Sequence, residues 1–358
     1  MQTTVWKRLE RAGRTLLIWL VGLVLRARAK PVVLPPQPKV LIVRLDLRVG
    51  NMLLLLPLLD SLKRRFPAAE IDLLASAKSA ALVSRHAALR SFLPYRKRAI
   101  FAAQGPLCTP WRLRRRHYDL AVDAANPTDP STTQALLVRL AGATHTVGVD
   151  QGGFGRLFTA PVRLPDPEAH EIEMRLALLA PLPGDALTRE MRLTTLPPLS
   201  PRSAVAALTA TPDPRRLVLN LGARLRAKRL STEAYVKLAE LAANGGWKVI
   251  LSFGPQEHEL ARAVHRSCPA AALAPPTDLV ELGHLMKTSA AVVTCDTGPM
   301  HLAVALGTPT CGIFVSTAPR RYGHFDRPHL VVDAREREIT SWLPTLRAWL
   351  ETSRPRPA

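Results

Sequence analysis

Cysteine is scarce in this chain, and its four positions are scattered. Cys108, Cys268, Cys295 and Cys311 form no CxxC pair and have no histidine at metal-ligand spacing, which argues against a zinc site and a disulfide framework and fits a reducing cytosol. Aromatic residues make up only 5% of the chain. The basic clusters Arg96-Lys97-Arg98 and Arg112-Leu113-Arg114-Arg115-Arg116 therefore lack the interleaved rings on which exposed bases stack, and nucleic acid is not expected as a partner. Acidic residues are also few, 28 against 49 Lys and Arg, for a formal charge of +21. No D-x-D cluster offers oxygen ligands to Mg²⁺, so no metal and no other cofactor is expected. The cationic surplus favours anionic partners such as phosphorylated ligands or a phospholipid surface, although arginine-rich composition alone accounts for part of it.

Long apolar runs are missing as well. Residues 16–25 are uninterrupted apolar sequence, half of the roughly 20 residues a spanning helix needs. They are flanked by Lys7, Arg8, Arg11, Arg14, Arg26, Arg28 and Lys30 against the lone Glu10. Residues 1–30 accordingly read as a basic, apolar helix lying in the headgroups of an anionic membrane surface. A signal peptide is the alternative, with Arg26-Ala27-Arg28-Ala29-Lys30 a poor cleavage site for it.

With 358 residues and 47% apolar composition, the chain can bury two cores. Residues 31–38 carry four prolines and read as a stiff linker. Strands are expected at 40–45, 71–75 and 118–123, with a helix at 53–66 whose Pro57 falls early enough to be tolerated. A helical stretch near 171–179 lies in a proline-rich passage that marks the domain joint. Beyond it, strands at 217–221, 248–252, 290–294 and 310–314 alternate with helices at 232–243 and 279–288, the last opened by an Asp278/Glu281 capping box. Alternating strands and helices imply parallel α/β sheets. The expected division is 39–180 for the first domain, 181–345 for the second and 346–358 for a C-terminal tail.

One turn stands out for its chemistry. Cys295-Asp296-Thr297-Gly298-Pro299-Met300-His301 follows a strand and opens an apolar helix. Backbone N–H groups and the positive helix end at such a turn suit a phosphorylated ligand. Asp296 is suited to accept sugar hydroxyls or simply to cap the helix. His301, a lone histidine, either donates to phosphate or only packs. Gly222-Ala223-Arg224 with Lys228-Arg229 follows another strand at the same sheet edge, where cations balance a diphosphate or form a solvated face. Glu257 in the loop after the next strand suits either ribose hydroxyls or a helix dipole. Gly50-Asn51, at the first strand-to-helix turn, is either part of a site or an ordinary turn.

These segments resemble glycosyltransferase family 9, whose best-known members are the lipopolysaccharide heptosyltransferases. The resemblance runs from about residue 40 to the C-terminus. It rests on Arg44-Leu45-Asp46 through Gly50, on Pro57 and Leu62-Lys63-Arg64-Arg65-Phe66-Pro67, on Gly222-Ala223-Arg224 with Lys228-Arg229, and above all on Asp296-Thr297-Gly298-Pro299-Met300-His301 with Gly307-Thr308-Pro309. It implies the α/β GT-B architecture, two Rossmann-like domains facing across a cleft. A nucleotide-sugar donor would be held by the C-terminal half and a lipid-linked glycan acceptor by the other, on an enzyme that inverts the sugar without a metal. Location would be cytoplasmic, peripheral to the inner membrane.

By position, Lys228 would hold donor phosphate, Glu257 the ribose and Asp296 the transferred sugar. Thr297, Gly298, Pro299 and His301 would surround the diphosphate beside Gly222 and Arg224, while Arg48 and Gly50 would lie on the acceptor side. The C-terminal helix, here 341–350, would cross back to the first domain. One position departs from the pattern: the family has Asp after the motif glycine, the proposed general base, and this chain has Asn51. A neutral amide cannot take a proton, and a missing base costs roughly 10² to 10⁴ in rate. Three readings stay open: Asp46 substitutes, an acceptor or donor group serves, or the protein binds without transferring. A GT-B-shaped epimerase or hydrolase is a further rival.

Overall fold

The computed structural model describes residues 24–77, 80–164, 166 and 168–353. The chain forms two compact units. One runs up to Arg48 and resumes at Leu55–Glu190; the other takes Val49–Leu54 and everything from Met191 onward.

The first unit holds β1 (Lys39–Arg44), β2 (Glu70–Ser76), β3 (Leu89–Tyr95), β4 (Leu120–Asp123), β5 (His145–Val149) and β6 (Ala160–Val162), all parallel in the order β3-β2-β1-β4-β5-β6. The second holds β7 (Asp213–Asn220), β8 (Lys248–Ser252), β9 (Ala272–Leu273), β10 (Ser289–Cys295), β11 (Thr310–Phe314) and β12 (Leu330–Asp333), again parallel, in the order β12-β11-β10-β7-β8-β9. Counted from its own first strand, each sheet has the Rossmann order 3-2-1-4-5-6. Parallel strands need crossover helices that cover both faces, so the middles of the central strands are apolar. Val40, Leu41, Ile42 and Val43 are fully buried, and Ile42 sits between Leu73 and Val122 in register. Val293 lies likewise between Leu219 and Cys311.

Three expected boundaries are corrected. The helix anticipated over 53–66 is split into Val49–Leu53 and Leu56–Arg65. Pro57 has no N–H to donate to the Leu53 carbonyl, so the ladder breaks there and restarts with Pro57 in its first turn. The C-terminal tail expected from 346 is instead the continuation of helix Ile339–Thr352, because Trp342, Leu346 and Leu350, spaced by four, enter the second unit's core beside Leu217, Tyr235 and Trp247. The basic helix expected over 1–30 falls largely on residues 1–23, outside the described ones, and from 26 onward the backbone has no helix. There Ala27 N–H donates to the Arg156 carbonyl (2.8 Å), Lys30 N–H to the Thr159 carbonyl (3.0 Å) and Arg139 Nε to the Leu25 carbonyl (2.8 Å). Residues 31–38 are free of helix and strand, and no helix among the described residues is long and apolar enough to cross a membrane. The Asp278/Glu281 capping box is present, Asp278 Oδ1 accepting from Glu281 N–H at 2.8 Å and Glu281 Oε2 from Asp278 N–H at 2.9 Å.

Candidate active site

In open parallel sheets ligands bind beyond the carboxyl ends of the strands, at the point where the strand order reverses. In the second unit that point lies between β7 and β10. Asp296 directly follows β10 and is buried, with 4% exposure. Lys228 Nζ donates to Asp296 Oδ2 at 2.6 Å and lies 3.4 Å from the Asp296 carbonyl oxygen. Thr317 Oγ1 donates to the same Oδ2. A buried carboxylate without such partners would be costly, and these donors answer it. The Lys228 side chain keeps a quarter of its surface exposed, with Nζ 5.8 Å from the centre of the Tyr322 ring.

Beside this cluster begins helix Gly298–Ala305. Thr297 is its extended N-cap residue, yet no side chain caps the first turn; Thr297 Oγ1 donates instead to the Cys295 carbonyl at 3.2 Å. Pro299 occupies the first turn, where a missing N–H costs nothing. Such a helix start, next to Asp296 and its lysine partner, has the chemistry to receive an anion. His301 is buried, and its Nδ1 lies 2.9 Å from His324 Nε2, with the rings nearly perpendicular. One imidazole must donate to the other, so their tautomers are linked.

Gly50, expected on the acceptor side, and Asn51, expected at the general-base position, belong to the second unit. A Cβ on Gly50 would lie 2.7 Å from His301 Cδ2 and 3.4 Å from Gly298 Cα, so any larger residue here must displace the His301 ring. A Cβ on Gly298 would meet nothing nearer than 3.5 Å, and the tight glycine of the pair is Gly50. Asn51 is buried in the same short helix, Val49–Leu53.

Arg229, unremarked as a single residue in the sequence, connects two loops of the site. It donates to the Ala223 carbonyl through Nε (2.9 Å) and Nη2 (2.6 Å), and Nη2 also pairs with Glu257 Oε1. Glu257 Oε2 accepts from Gly254 N–H at 3.1 Å. Asn220 ties three strand ends together, donating to the Gly222 carbonyl (3.1 Å) and Thr294 Oγ1 (2.9 Å) while accepting from Ser252 Oγ (3.2 Å). Arg224 is exposed. Thr317, His324 and Asn220 were missed because no motif marks them; the one available signal for Thr317 was its place just after an apolar strand.

Asp46 and Arg48 lie in the first unit, after β1. Arg48 N–H donates to Asp46 Oδ1 at 2.9 Å, and Arg44 Nη2 to Oδ2 at 3.2 Å. A carboxylate engaged at both oxygens suits a loop brace better than a proton acceptor. The Arg48 side chain is exposed. Behind Asp46, burial together with neighbouring Arg175 pushes the Arg44 guanidinium down to about 9, and burial raises the Asp123 carboxyl to about 6. The Cys295 thiol is pushed up by burial and is inert packing. Among the described residues no group of three or more His, Cys, Asp or Glu is placed to hold a metal ion.

A Rossmann-ordered sheet with an uncapped helix start and a lysine at its switch point defines a class, the α/β proteins that bind nucleotide-type phosphorylated ligands. The family model described as glycosyltransferase family 9 (heptosyltransferase) matches residues 111–340, and the chain belongs to that family. Lipopolysaccharide heptosyltransferase 3 of Escherichia coli is 27% identical over 282 residues, covering 75% of this chain and 81% of the relative. Lipopolysaccharide heptosyltransferase 1 of Pseudomonas aeruginosa is 27% identical over 303 residues, covering 78% and 79%. Among solved structures, an E. coli heptosyltransferase with ADP-2-deoxy-2-fluoro heptose matches with a TM-score of 0.69 at 21% identity, over 88% of this chain and 99% of that one. A glycosyltransferase family 9 protein from Veillonella parvula matches at 0.72 and 17% identity, over 89% and 90%. The fold is that of the GT-B glycosyltransferases.

Proposed function

We propose that the protein transfers a heptose from ADP-heptose to a lipid-linked acceptor of the lipopolysaccharide type, inverting the anomeric carbon and using no metal ion. The observation that carries this reading is the Lys228–Asp296–Thr317 cluster beside the uncapped start of helix Gly298–Ala305. Support for the sugar and nucleotide comes from the heptosyltransferase relatives and from the ADP-heptose analogue held by one solved neighbour.

In a single displacement the acceptor oxygen attacks the anomeric carbon while the bond to the diphosphate breaks; ADP leaves with the bonding electrons, and the hydroxyl proton passes through solvent to the departing diphosphate, a donor group serving where Asn51 cannot. Negative charge therefore grows on the diphosphate. Lys228, the first-turn N–H groups after Thr297 and Gly298, and His301 are the donors assigned to that charge. Asp296, fixed by Lys228 and Thr317, is assigned to hydroxyls of the transferred sugar, and Glu257 to the ribose. Gly222 and Arg224 flank the donor. The acceptor hydroxyl is assigned to the Gly50–Asn51 turn, where Asn51 orients it by hydrogen bonding, and Arg48 to acceptor anions. The lipid of the acceptor keeps the enzyme at the cytoplasmic face of the inner membrane.

The test is ADP release from ADP-heptose with and without a heptose-deficient lipopolysaccharide acceptor, in EDTA. Acceptor-dependent, EDTA-resistant release is the expected result, and Asn51→Asp should raise kcat by about 10² or more. Release seen only after Asn51→Asp makes the natural chain a silent nucleotide-sugar binder, and release without acceptor makes it a hydrolase.

A further inference from the structure

Large apolar side chains are normally covered, and the first unit leaves four of them uncovered within a dozen residues. Phe101 is 84% exposed, Leu107 61%, Trp111 58% and Ile100 50%. Ile100, Phe101 and Leu107 lie in the excursion that follows β3, between Arg96 and the helix Thr109–Arg114, and Trp111 is on that helix. The excursion is closed on itself: Arg96 N–H donates to the Gln104 carbonyl (2.9 Å), Gly105 N–H to the Ala102 carbonyl (2.8 Å), and Arg112 Nη1 to the Ala103 carbonyl (2.6 Å). Gly105 is sterically required, since a Cβ there would lie 1.8 Å from the Ala99 carbonyl oxygen. The loop is therefore built to hold Ile100 and Phe101 outward, against the hydrophobic tendency to bury them.

The charge around this apolar tip has one sign. From 96 to 117 the sequence contains no Asp or Glu. Arg96, Lys97, Arg98, Arg112, Arg114 and Arg115 are exposed, and the Arg115 guanidinium stacks 3.6 Å over the Trp111 ring. Arg116 is the exception in role, its Nη1 committed to the buried Asp72 at 2.7 Å. Two apolar residues and two aromatics ringed by cations have the composition of a surface that enters the headgroup layer of an anionic bilayer, with rings at the acyl boundary and arginines at the phosphates. A protein partner would need acidic groups to answer six cations; a phosphatidylglycerol-type surface supplies them everywhere.

We propose that the closed loop bearing Ile100, Phe101, Leu107 and Trp111, with its arginine and lysine rim, is a membrane-docking surface for anionic lipid, separate from the apolar run at 16–25. It deepens the membrane location given under the proposed function, yet it is read by lipid binding, which needs no sugar transfer.

The experiment is co-sedimentation of the full chain with phosphatidylglycerol vesicles and with phosphatidylcholine vesicles, comparing wild type, Phe101→Ala/Trp111→Ala and Phe101→Trp. Wild type should prefer phosphatidylglycerol. The double variant should partition roughly tenfold less into it, the N-terminal run keeping a remainder, and Phe101→Trp should match wild type. Thermal stabilisation by ADP should be equal in all three, showing that the fold and donor site are intact. Partitioning of the double variant within about twofold of wild type overturns the proposal, because the expected loss in transferring two large side chains from lipid is well above that. Unchanged lipid binding together with lost transfer to a delipidated acceptor glycan also overturns it, and assigns the loop to acceptor recognition. If transfer itself is never observed, the lipid result still stands or falls alone.

Discussion

The two sheets share one strand order but treat their switch points in opposite ways. In the first unit the gap between β1 and β4 is plugged by side chains. Arg44 donates to the Ala124 carbonyl (2.5 Å) and to Asp46, while Gln134 Nε2 donates to the Val43 carbonyl (2.6 Å) and to Asp123 Oδ1 (2.7 Å) and Gln134 Oε1 accepts from Leu45 N–H (2.9 Å). These donors are spent on the protein itself. In the second unit the gap between β7 and β10 is edged by Asn220, which braces the strands, and by a partly exposed Lys228 and a helix start without a side-chain cap. Topology alone therefore locates two candidate crevices, and the disposition of donors tells which one is prepared for an anion.

That contrast breaks most sharply at its two cations. Lys228→Met should lower kcat/KM for sugar transfer by about 10² to 10³, the scale seen when a donor to developing charge is removed, and should abolish thermal stabilisation by ADP. Arg44→Ala should do the reverse. It leaves the buried Ala124 carbonyl without its donor, removes one of the partners of Asp46 and empties a buried side-chain site, costing about 2 to 4 kcal/mol in urea denaturation, while the ADP affinity of whatever remains folded is unchanged. Equal effects of both substitutions on ADP binding would erase the distinction.

Smaller effects sharpen it. Gly50→Ala must displace His301, at a cost of about 1 to 3 kcal/mol, and should raise the donor KM because His301 sits in the first turn of the anion-binding helix. A normal KM with lowered stability would contradict the proposed role of His301 at the donor phosphates. The smallest expected effect belongs to Asp123. Burial raises its folded-state carboxyl to about 6, so the ionised form is disfavoured by folding; its contribution to stability is full below its unfolded value near 4 and is lost as pH rises through about 6. Between pH 5 and 7.5 wild type should lose about 1 kcal/mol relative to Asp123→Asn, measured by paired urea titrations. Parallel pH profiles would show that Asp123 is not held neutral.

Much of this was legible from residues whose signal is local. Val40-Leu41-Ile42-Val43 and Val292-Val293-Thr294 are buried parallel strands because nothing but apolar sequence can stand between two helical layers. The Asp296-Thr297-Gly298 turn announces itself by following one of them. β3 was not seen: Arg90 and Pro94 interrupt it, and as an edge strand it is only half buried. β5 and β6 are short and mix polar with apolar residues. In the site, His324 and Thr317 join His301 and Asp296 across about twenty residues of chain, a pairing no periodicity encodes. The assignment of Gly50 and Asn51 to the second unit is likewise a fact of packing, set by the absence of a Cβ facing His301.

The most direct measurement is a crystal structure of the full chain with ADP. The account predicts a β-phosphate at the start of helix Gly298–Ala305, within hydrogen-bonding distance of first-turn N–H groups and approached by Lys228. A diphosphate bound elsewhere, or a Lys228 left wholly on Asp296 with that helix start unoccupied, would contradict it.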